Sequence, residues 1–415
     1  MKVQRVEKHI IKRNHPDWKI CDEMCFCAKN LYNKVNFIIR SAFLGKLENI
    51  EDYKDLIKDD RFIGGYELIK RMTKLNDCDY RSLKPQSSQQ VIIQLGAIWK
   101  SYFKALKSYK SNPSKFSGRP KMPSYKHKEK GRYITTFTNQ NISIKGNKIF
   151  LSRNKCFKKL RTDKIDFQQI KIVPKLDGSY HLCIIYNKKI KENKKEGYSF
   201  GIDLGLNNLM AITSDKVDFR PLLINGRPLK SYNWFWNKKK AFLQSKLKDR
   251  YNSKKITKLT FNRNNKINDY LHKASRMLIN KALENEVASI VIGYNQGWKN
   301  EINMGRRNNQ NFVNIPYEKL IDFISYKAEE NGIRVIKVNE SYTSKCSSLD
   351  KEEIKKQETY LGKRVKRGLF KSSDGIELNA DVNGSINILR KVIKDDFLNL
   401  LNIGCVLQPE LIKII

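Results

Sequence analysis

Apolar residues near the start of the chain recur every three or four positions. Trp18, Cys21, Met24, Cys25, Ala28, Leu31, Tyr32, Val35, Ile38 and Ile39 line one face of a helix that begins after Pro16, with Asp17 placed to cap it. Shorter helices are expected over 51–75. A second long helix is expected over 86–110, with Val91, Leu95, Ile98, Tyr102 and Leu106 on one face and Lys100, Lys104 and Lys107 on another. Residues 1–14 read as a short basic strand. Between 132 and 194 the period falls to two, in short runs joined by turns such as KGN and LDGS, the mark of a small β-barrel or sheet that residues 1–14 can join. KKIKENKKEG follows as a linker. The rest alternates: strands at 198–204 and 208–213, Lys-rich helices over about 231–285, a strand at 287–293, a helix at 316–331, a strand at 333–338 and a final helix at 382–399. That order predicts an α/β domain.

Charge narrows the picture. Lys and Arg number 82 against 42 Asp and Glu, a formal charge of +40, which calls for a polyanionic partner. Residues 100–132 hold eleven Lys or Arg and one acid, with Tyr102, Phe103, Tyr109, Phe116 and Tyr125 among them. Such a mixture suits a nucleic-acid backbone groove, and Arg119, Lys121 and Tyr125 join the three helical lysines as candidate contacts. The GRPKMPSYK segment reads as an extended linker. Gln86, Gln89, Gln90 and Gln140 are polar enough to read base edges. No apolar run approaches the ~20 residues of a spanning helix, and the first residues lack the apolar stretch of a secretory signal. Eight scattered cysteines make no disulfide framework, so a reducing cytoplasm is expected.

Three carboxylates stand out. FGIDLG sets Asp203 at the end of an apolar strand, before a glycine turn. A bare carboxylate in a sheet core is costly, so Asp203 is either a turn residue bonded to its own backbone or a metal ligand. NADVNGSINILRK sets Asp381 at the start of the final helix, as a cap or a ligand. Glu340 closes the apolar run IRVIKVNE, as a solvated strand end or a ligand. DLG openings also occur in actin-like ATPases, which +40 and the lack of a second phosphate loop disfavour.

FGIDLGLNNL, the tail of SIVIGYN, YTSKCS and NADVNGSINI, in that order, resemble TnpB, the RNA-guided nuclease family of insertion-sequence transposons, and the compact type V CRISPR effectors related to it. HIIKRNHPDWKICDEMCFCAKNLYN and GRPKMPSYK resemble the family too. The resemblance implies an α/β RNase H-like (RuvC) nuclease domain over 197–415 and an N-terminal β-barrel wedge domain over 1–14 and 131–196. It also implies an inserted helical recognition domain over 15–130. The function it implies is RNA-guided DNA endonuclease activity. A guide RNA, from a transposon end or of CRISPR type, pairs with double-stranded target DNA beside a short target-adjacent motif. Two Mg²⁺ ions at Asp203, Glu340 and Asp381 then hydrolyse the phosphodiester, in a cytoplasmic, nucleoid-associated bacterial protein.

Two departures bear on that expectation. The family's zinc ribbon between the second and third motifs is built from paired CxxC elements, but 341–378 contain Cys346 as their one cysteine and no histidine. No structural zinc is expected, and the segment's basic middle, with Lys363, Arg364 and Arg367, can hold nucleic acid instead. The glutamate that should end the 287–293 strand is Gly293. Glu301 lies eight residues on, beyond a polar loop. Glu340 ends the strand expected beside it, about 4.8 Å away, and matches a relocated glutamate found in a subset of the family and in its eukaryotic Fanzor relatives. The rival reading is an RNA-guided DNA binder that has lost cleavage.

Overall fold

The structure is a computed structural model that describes residues 2–56, 63–146, 148–151, 156–164, 166–247, 251–295, 310 and 314–414. Glu301 lies outside the described residues. The chain forms two compact units, 2–188 and 189–415. Among the described residues no helix is long and apolar enough to cross a membrane.

The first unit opens with strand β1 (Lys2–Ile11), whose side chains alternate in exposure as a half-buried strand requires. Helix α1 (Trp18–Phe43) follows. Asp17 stands at its N-cap position without a side-chain cap bond; its carboxylate lies 3.7 Å from His15 Nδ1. Helices α2 (Gly65–Lys74), α3 (Cys78–Arg81) and α4 (Pro85–Ser111) pack with α1 around one apolar cluster. On α4 the buried stripe runs through Val91, Leu95, Trp99 and Tyr102, whereas Ile98 is 39% exposed. Trp99 follows Leu95 by one helical turn as closely as Ile98 does, and its larger ring takes the core position.

Strands β2 (Thr135–Thr138), β3 (Ile142–Lys145), β4 (Lys148–Leu151), β5 (Cys156–Arg161), β6 (Phe167–Pro174) and β7 (Tyr180–Lys189) complete the unit. They form a four-stranded sheet, β1-β7-β6-β2, and a three-stranded sheet, β3-β4-β5, that share an apolar cluster with Cys21, Met24 and Cys25 of α1. The GRPKMPSYK segment is extended, but α1 fastens it. Asn36 Nδ2 donates to Pro123 O (3.1 Å), Tyr32 OH to Ser124 O (3.2 Å) and Asn33 Nδ2 to Lys126 O (2.8 Å), while Lys126 N donates to Asn33 Oδ1 (2.8 Å). Residues three and four apart on one helix face thus satisfy a strand-like backbone that has no sheet to join.

The second unit is a layered α/β structure. Strands β8 (Tyr198–Leu204), β9 (Asn208–Ser214) and β10 (Leu222–Asn225) form an antiparallel meander, followed by helices α5 (Arg227–Ser245) and α6 (Lys254–Glu284). Strand β11 (Val287–Gly293), helix α7 (Tyr317–Glu330) and strand β12 (Arg334–Val338) come next. β11 lies parallel to both β8 and β12. A hairpin, β13 (Lys363–Lys366) and β14 (Leu369–Lys371), pairs with β15 (Glu377–Asn379), and helix α8 (Ala380–Arg390) leaves directly from β15. The main sheet has the order β12-β11-β8-β9-β10-β16, with β16 (Glu410–Ile412) parallel to β10 at its edge. Phe200, Ile202, Met210, Ile212, Ile290 and Ile292 face α6 and α7, while Ala211, Leu223 and Val291 face α8. The final helix ends at Arg390, nine residues earlier than its apolar pattern predicts. There Arg390 forms a two-pronged ion pair with Asp395, Nε to Oδ1 at 2.7 Å and Nη2 to Oδ2 at 2.9 Å.

The motif glycines of this unit are contact points. A Cβ on Gly201 would stand 2.4 Å from Ser385 O and 2.8 Å from Leu389 Cβ, so the glycine of FGIDLG lets α8 lie directly on β8.

Candidate active site

Asp203 is the penultimate residue of β8. The parallel register runs Val291↔Gly201 and Ile292↔Ile202, so Asp203 and Gly293 end neighbouring strands at one level. Because side chains alternate along a strand, Asp203 shares the α8 face with Gly201. A Cβ on Gly384 of α8 would come within 2.9 Å of Asp203 Oδ2, so that glycine makes room for the carboxylate. The following turn is pinned by Tyr317 OH, which donates to Gly205 O at 2.9 Å.

Asp381 sits in the first turn of α8, where the helix dipole favours an anion. The capping role belongs to Asn379, whose Oδ1 accepts from Asp381 N (2.9 Å) and Val382 N (3.3 Å). That frees the Asp381 carboxylate, which accepts from Asn208 Nδ2 at 2.8 Å.

Glu340 lies two residues past the end of β12 rather than on the strand. Its backbone N donates to Asn295 Oδ1 at 3.2 Å, and Asn295 Nδ2 donates to Glu340 Oε1 at 3.4 Å. Lys391 Nζ donates to the carbonyls on either side, Asn339 O (2.7 Å) and Ser341 O (3.0 Å). These bonds carry the residue over the end of β11: Glu340 Cβ is 3.3 Å from where a Cβ on Gly293 would be. The same Cβ would meet Ile388 Cδ1 at 2.5 Å, so Ile388 and Glu340 occupy the space a side chain at 293 would need.

The other two acids act on Asp203. Burial, then the carboxylates of Asp381 and Glu340, hold the Asp203 carboxyl well above the usual carboxylate range, with Arg364 opposing them. Burial pushes Glu340 up to about 7, against the nearby Lys391 ammonium. Their oxygens do not all lie within 4.8 Å of one another; among the described residues the group that meets that limit is Asp77, Cys78 and Asp79. There Asp77 already caps α3 and pairs with Lys34. Hard oxygen donors carrying uncompensated negative charge fit a divalent cation such as Mg²⁺.

The ribbon segment does not fit a tetrahedral zinc. The Cys346 thiol is buried and donates to Glu353 O (3.5 Å) and Lys355 O (3.6 Å). The buried Glu352 carboxylate organises the turn instead, accepting from Ser347 N at 2.7 Å and Leu361 N at 3.1 Å. Asn383 and Asn387 of α8 both donate to Cys346 O, at 2.9 and 2.7 Å. Elemental analysis of chelator-free protein is expected to return no stoichiometric zinc. Glu352→Ala, which strands the buried Ser347 N–H and removes the acceptor of the Leu361 N–H, is expected to cost about 1–3 kcal/mol in urea unfolding. One zinc per chain, or an unchanged unfolding midpoint, would contradict this account.

The nucleic-acid candidates divide. Lys100, Lys104 and Lys107 are exposed on α4, as are Arg119, Lys121 and Tyr125 on the extended segment and Lys363, Arg364 and Arg367 on the β13–β14 hairpin. Gln89 and Gln90 are half-buried, and the amide oxygen of Gln140 accepts from Gln86 Nε2. Tyr102 and Phe103 are not free for stacking on bases: they pack with Phe43 and Trp99 in an aromatic cluster. Sequence reasoning also passed over Asn208, Asn295 and Lys391, which hold Asp381 and Glu340. The doubled asparagine of GLNNL was the available signal for the first.

Comparison with known proteins agrees with this architecture. Residues 181–299 match the family model described as probable transposase (OrfB_IS605), and residues 317–388 match the Cas12f1-like TNB domain. The chain resembles TnpB and the compact type V effectors. It is 25% identical over 230 residues to CRISPR-associated endodeoxyribonuclease Cas12f2 of a Micrarchaeota archaeon, covering 52% of this chain and 41% of that protein. It is 30% identical over 167 residues to TnpB-like protein MJ0751 of Methanocaldococcus jannaschii, covering 39% of this chain and 60% of that one. This TnpB-like chain also shares its fold with the protein in a cryo-EM structure of a Cas12f1–sgRNA–target DNA complex. The TM-score is 0.50 at 16% identity, over 89% of this chain and 82% of that one.

Proposed function

We propose that this protein is an RNA-guided DNA endonuclease that cuts guide-matched DNA beside a short target-adjacent motif, with Asp203, Glu340 and Asp381 as the metal ligands. The observation that carries the reading is the position of Glu340, whose Cβ stands 3.3 Å from the absent Cβ of Gly293. The two acids from the strand end and the helix start are thereby joined by a third at the place the neighbouring strand leaves empty. A protein kept only for binding has no need of a buried Asp203 whose proton affinity is raised by burial and by two further carboxylates.

When bound, two divalent ions supply an acidified water and neutralise charge on the leaving oxygen. The chain's own residues position and restrain. Asn208 orients Asp381, Asn295 and Lys391 fix Glu340, and Gly384 leaves space for Asp203. Arg364, exposed and close enough to act on Asp203, offers a guanidinium to a phosphate oxygen of the strand being cut. In the same reading, 1–14 and 131–196 form the wedge domain, 15–130 the recognition domain and 197–415 the nuclease domain, and the basic faces of α4 and the extended segment hold guide RNA and target DNA.

The test is purification from the native locus at moderate salt, sequencing of the RNA that comes with the protein, and assay of a duplex matching that RNA. A discrete RNA and Mg²⁺-dependent cutting of the matched duplex alone are expected. Cutting without RNA, or binding without cutting, would replace the reading with an unguided nuclease or a guided binder respectively.

A further inference from the structure

The densest mixture of basic and aromatic residues lies in the nuclease unit, on α5 and the start of α6. Residues 227–266 contain thirteen Lys or Arg and a single acid, Asp249. On α5, Leu229 and Asn233 are buried, and Trp236 faces α6, where its Nε1 donates to Thr260 Oγ1 at 3.0 Å. The other face is open. Trp234 is 54% exposed, Phe235 57% and Phe242 50%. Phe235, Lys239, Phe242 and Lys246 follow one another at helical spacing, with Trp234 and Lys238 alongside. Lys238 Nζ lies 5.2 Å from the Trp234 ring centroid, and Lys239 and Lys246 lie 5.3 and 4.4 Å from that of Phe242. Three large rings held half in water, two of them with a cation over the ring, are not a solvated surface face.

We propose that Trp234, Phe235 and Phe242, with Lys238, Lys239 and Lys246, form a stacking platform for the single-stranded DNA that the nuclease site cuts. The choice of occupant follows from charge and position. Two copies of so basic a face repel each other, which disfavours a self-interface. Exposed rings are of use to unpaired bases, whose faces are open, and of little use to a duplex. The root of α5 is tied to the active-site turn: Gly226 N donates to Asn207 O, and Lys230 Nζ to Asn207 Oδ1, both at 2.7 Å. The next residue, Asn208, is the one that holds Asp381. At 1.5 Å per residue, Trp234 lies about 10 Å and Phe242 about 22 Å along the helix from its first residue. A strand lying on the platform is therefore led to the end of β8 that carries Asp203. The use of the platform for cleavage rests on the nuclease reading; its affinity for single strands does not.

The experiment compares the full-length wild type, the triple variant Trp234→Ala/Phe235→Ala/Phe242→Ala, and the ring-preserving Trp234→Phe/Phe235→Tyr/Phe242→Tyr. Fluorescence anisotropy reads binding of labelled oligo(dT) and oligo(U) of equal length, and light scattering reads the oligomeric state. The alanine variant is expected to lose about ten- to a hundredfold in affinity for oligo(dT), with oligo(U) changed by less and mass unchanged. The ring-preserving variant stays within a few fold of wild type. Unchanged oligo(dT) affinity overturns the proposal, an equal or greater loss for oligo(U) assigns the platform to RNA, and a change of mass assigns it to a second copy. Loss of binding in the ring-preserving variant as well would mean that the rings hold the fold rather than stack on bases. Asp203→Asn, tested in parallel, should bind oligo(dT) as wild type does and not cut. If the wild type never cuts but the alanine variant loses oligo(dT), the nuclease reading falls and the platform stands; if cutting and oligo(dT) binding survive in the variant, the platform alone falls.

Discussion

Glu340→Gln is expected to lower Mg²⁺-dependent cleavage on the order of a thousandfold while leaving guide RNA and target affinity nearly unchanged. The amide keeps the size of the side chain and its hydrogen bond with Asn295, so what is removed is one negative charge and a strong metal donor. Asp203→Asn and Asp381→Asn should behave alike if, as proposed, the three acids hold the same ions. Single-turnover cutting and filter binding on the same preparations separate the two effects. Equal cutting by Glu340→Gln and wild type would sink the relocated ligand. The geometry also sets the terms of a rescue. Gly293→Glu alone should fail, since its Cβ would collide with Ile388 at 2.5 Å. On the Glu340→Gln background, Gly293→Glu combined with Ile388→Ala frees that space and returns a carboxylate beside the same ions. Partial recovery, tenfold or more above Glu340→Gln, is expected (about 1.4 kcal/mol of transition-state stabilisation).

The second large effect is on stability against pH. Glu340 binds its proton up to about pH 7 in the folded protein and only to about 4.5 in the unfolded chain, and Asp203 is shifted in the same direction. Between those values the folded state holds protons that the unfolded state has released. The Glu340 contribution to the stability of the metal-free protein therefore falls as pH rises through about 4.5–7 and levels off above, and Asp203 adds a fall of the same sign. At 1.36 kcal/mol per pH unit, Glu340 contributes on the order of 3 kcal/mol to that fall. Urea unfolding in a chelator should show the midpoint descending across this window in wild type and a shallower descent in Glu340→Gln, which should be the more stable of the two at pH 8. Mg²⁺ should restore wild-type stability at pH 8 more than at pH 5, because it competes with protons for the same oxygens. Parallel pH profiles for wild type and Glu340→Gln would show that Glu340 is not held in this environment.

Long elements with one buried face were legible in the sequence. The α1 stripe, the α/β alternation after residue 197 and the strand ending in Asp203 all follow from periods of 3.6 and 2 repeated often enough to be unambiguous. Strands β10 and β16, of four and three residues, are too short to show a period; β10 forms on the edge that β9 offers, and β16 on the edge of β10. The extent of the final helix was misjudged because its apolar pattern continues into Phe397 and Leu398, which return to the same core after the chain has turned at the Arg390–Asp395 pair. Composition pointed to a nucleic-acid partner but misjudged the aromatics: Tyr102 and Phe103 pack in the core cluster, while Trp234, Phe235 and Phe242 stand open. Whether a ring on a basic helix is buried depends on what packs against it, and that partner lies far away in the chain. The same holds for the site. Asp203 and Asp381 could be named from motifs, and Glu340 from the strand beside Gly293. That Glu340 enters the empty place, that Asn379 rather than Asp381 caps α8, and that Asn208 and Lys391 hold the acids were decided by contacts between segments up to 173 residues apart. A local pattern records which face of an element is buried; only the folded chain determines what lies against that face.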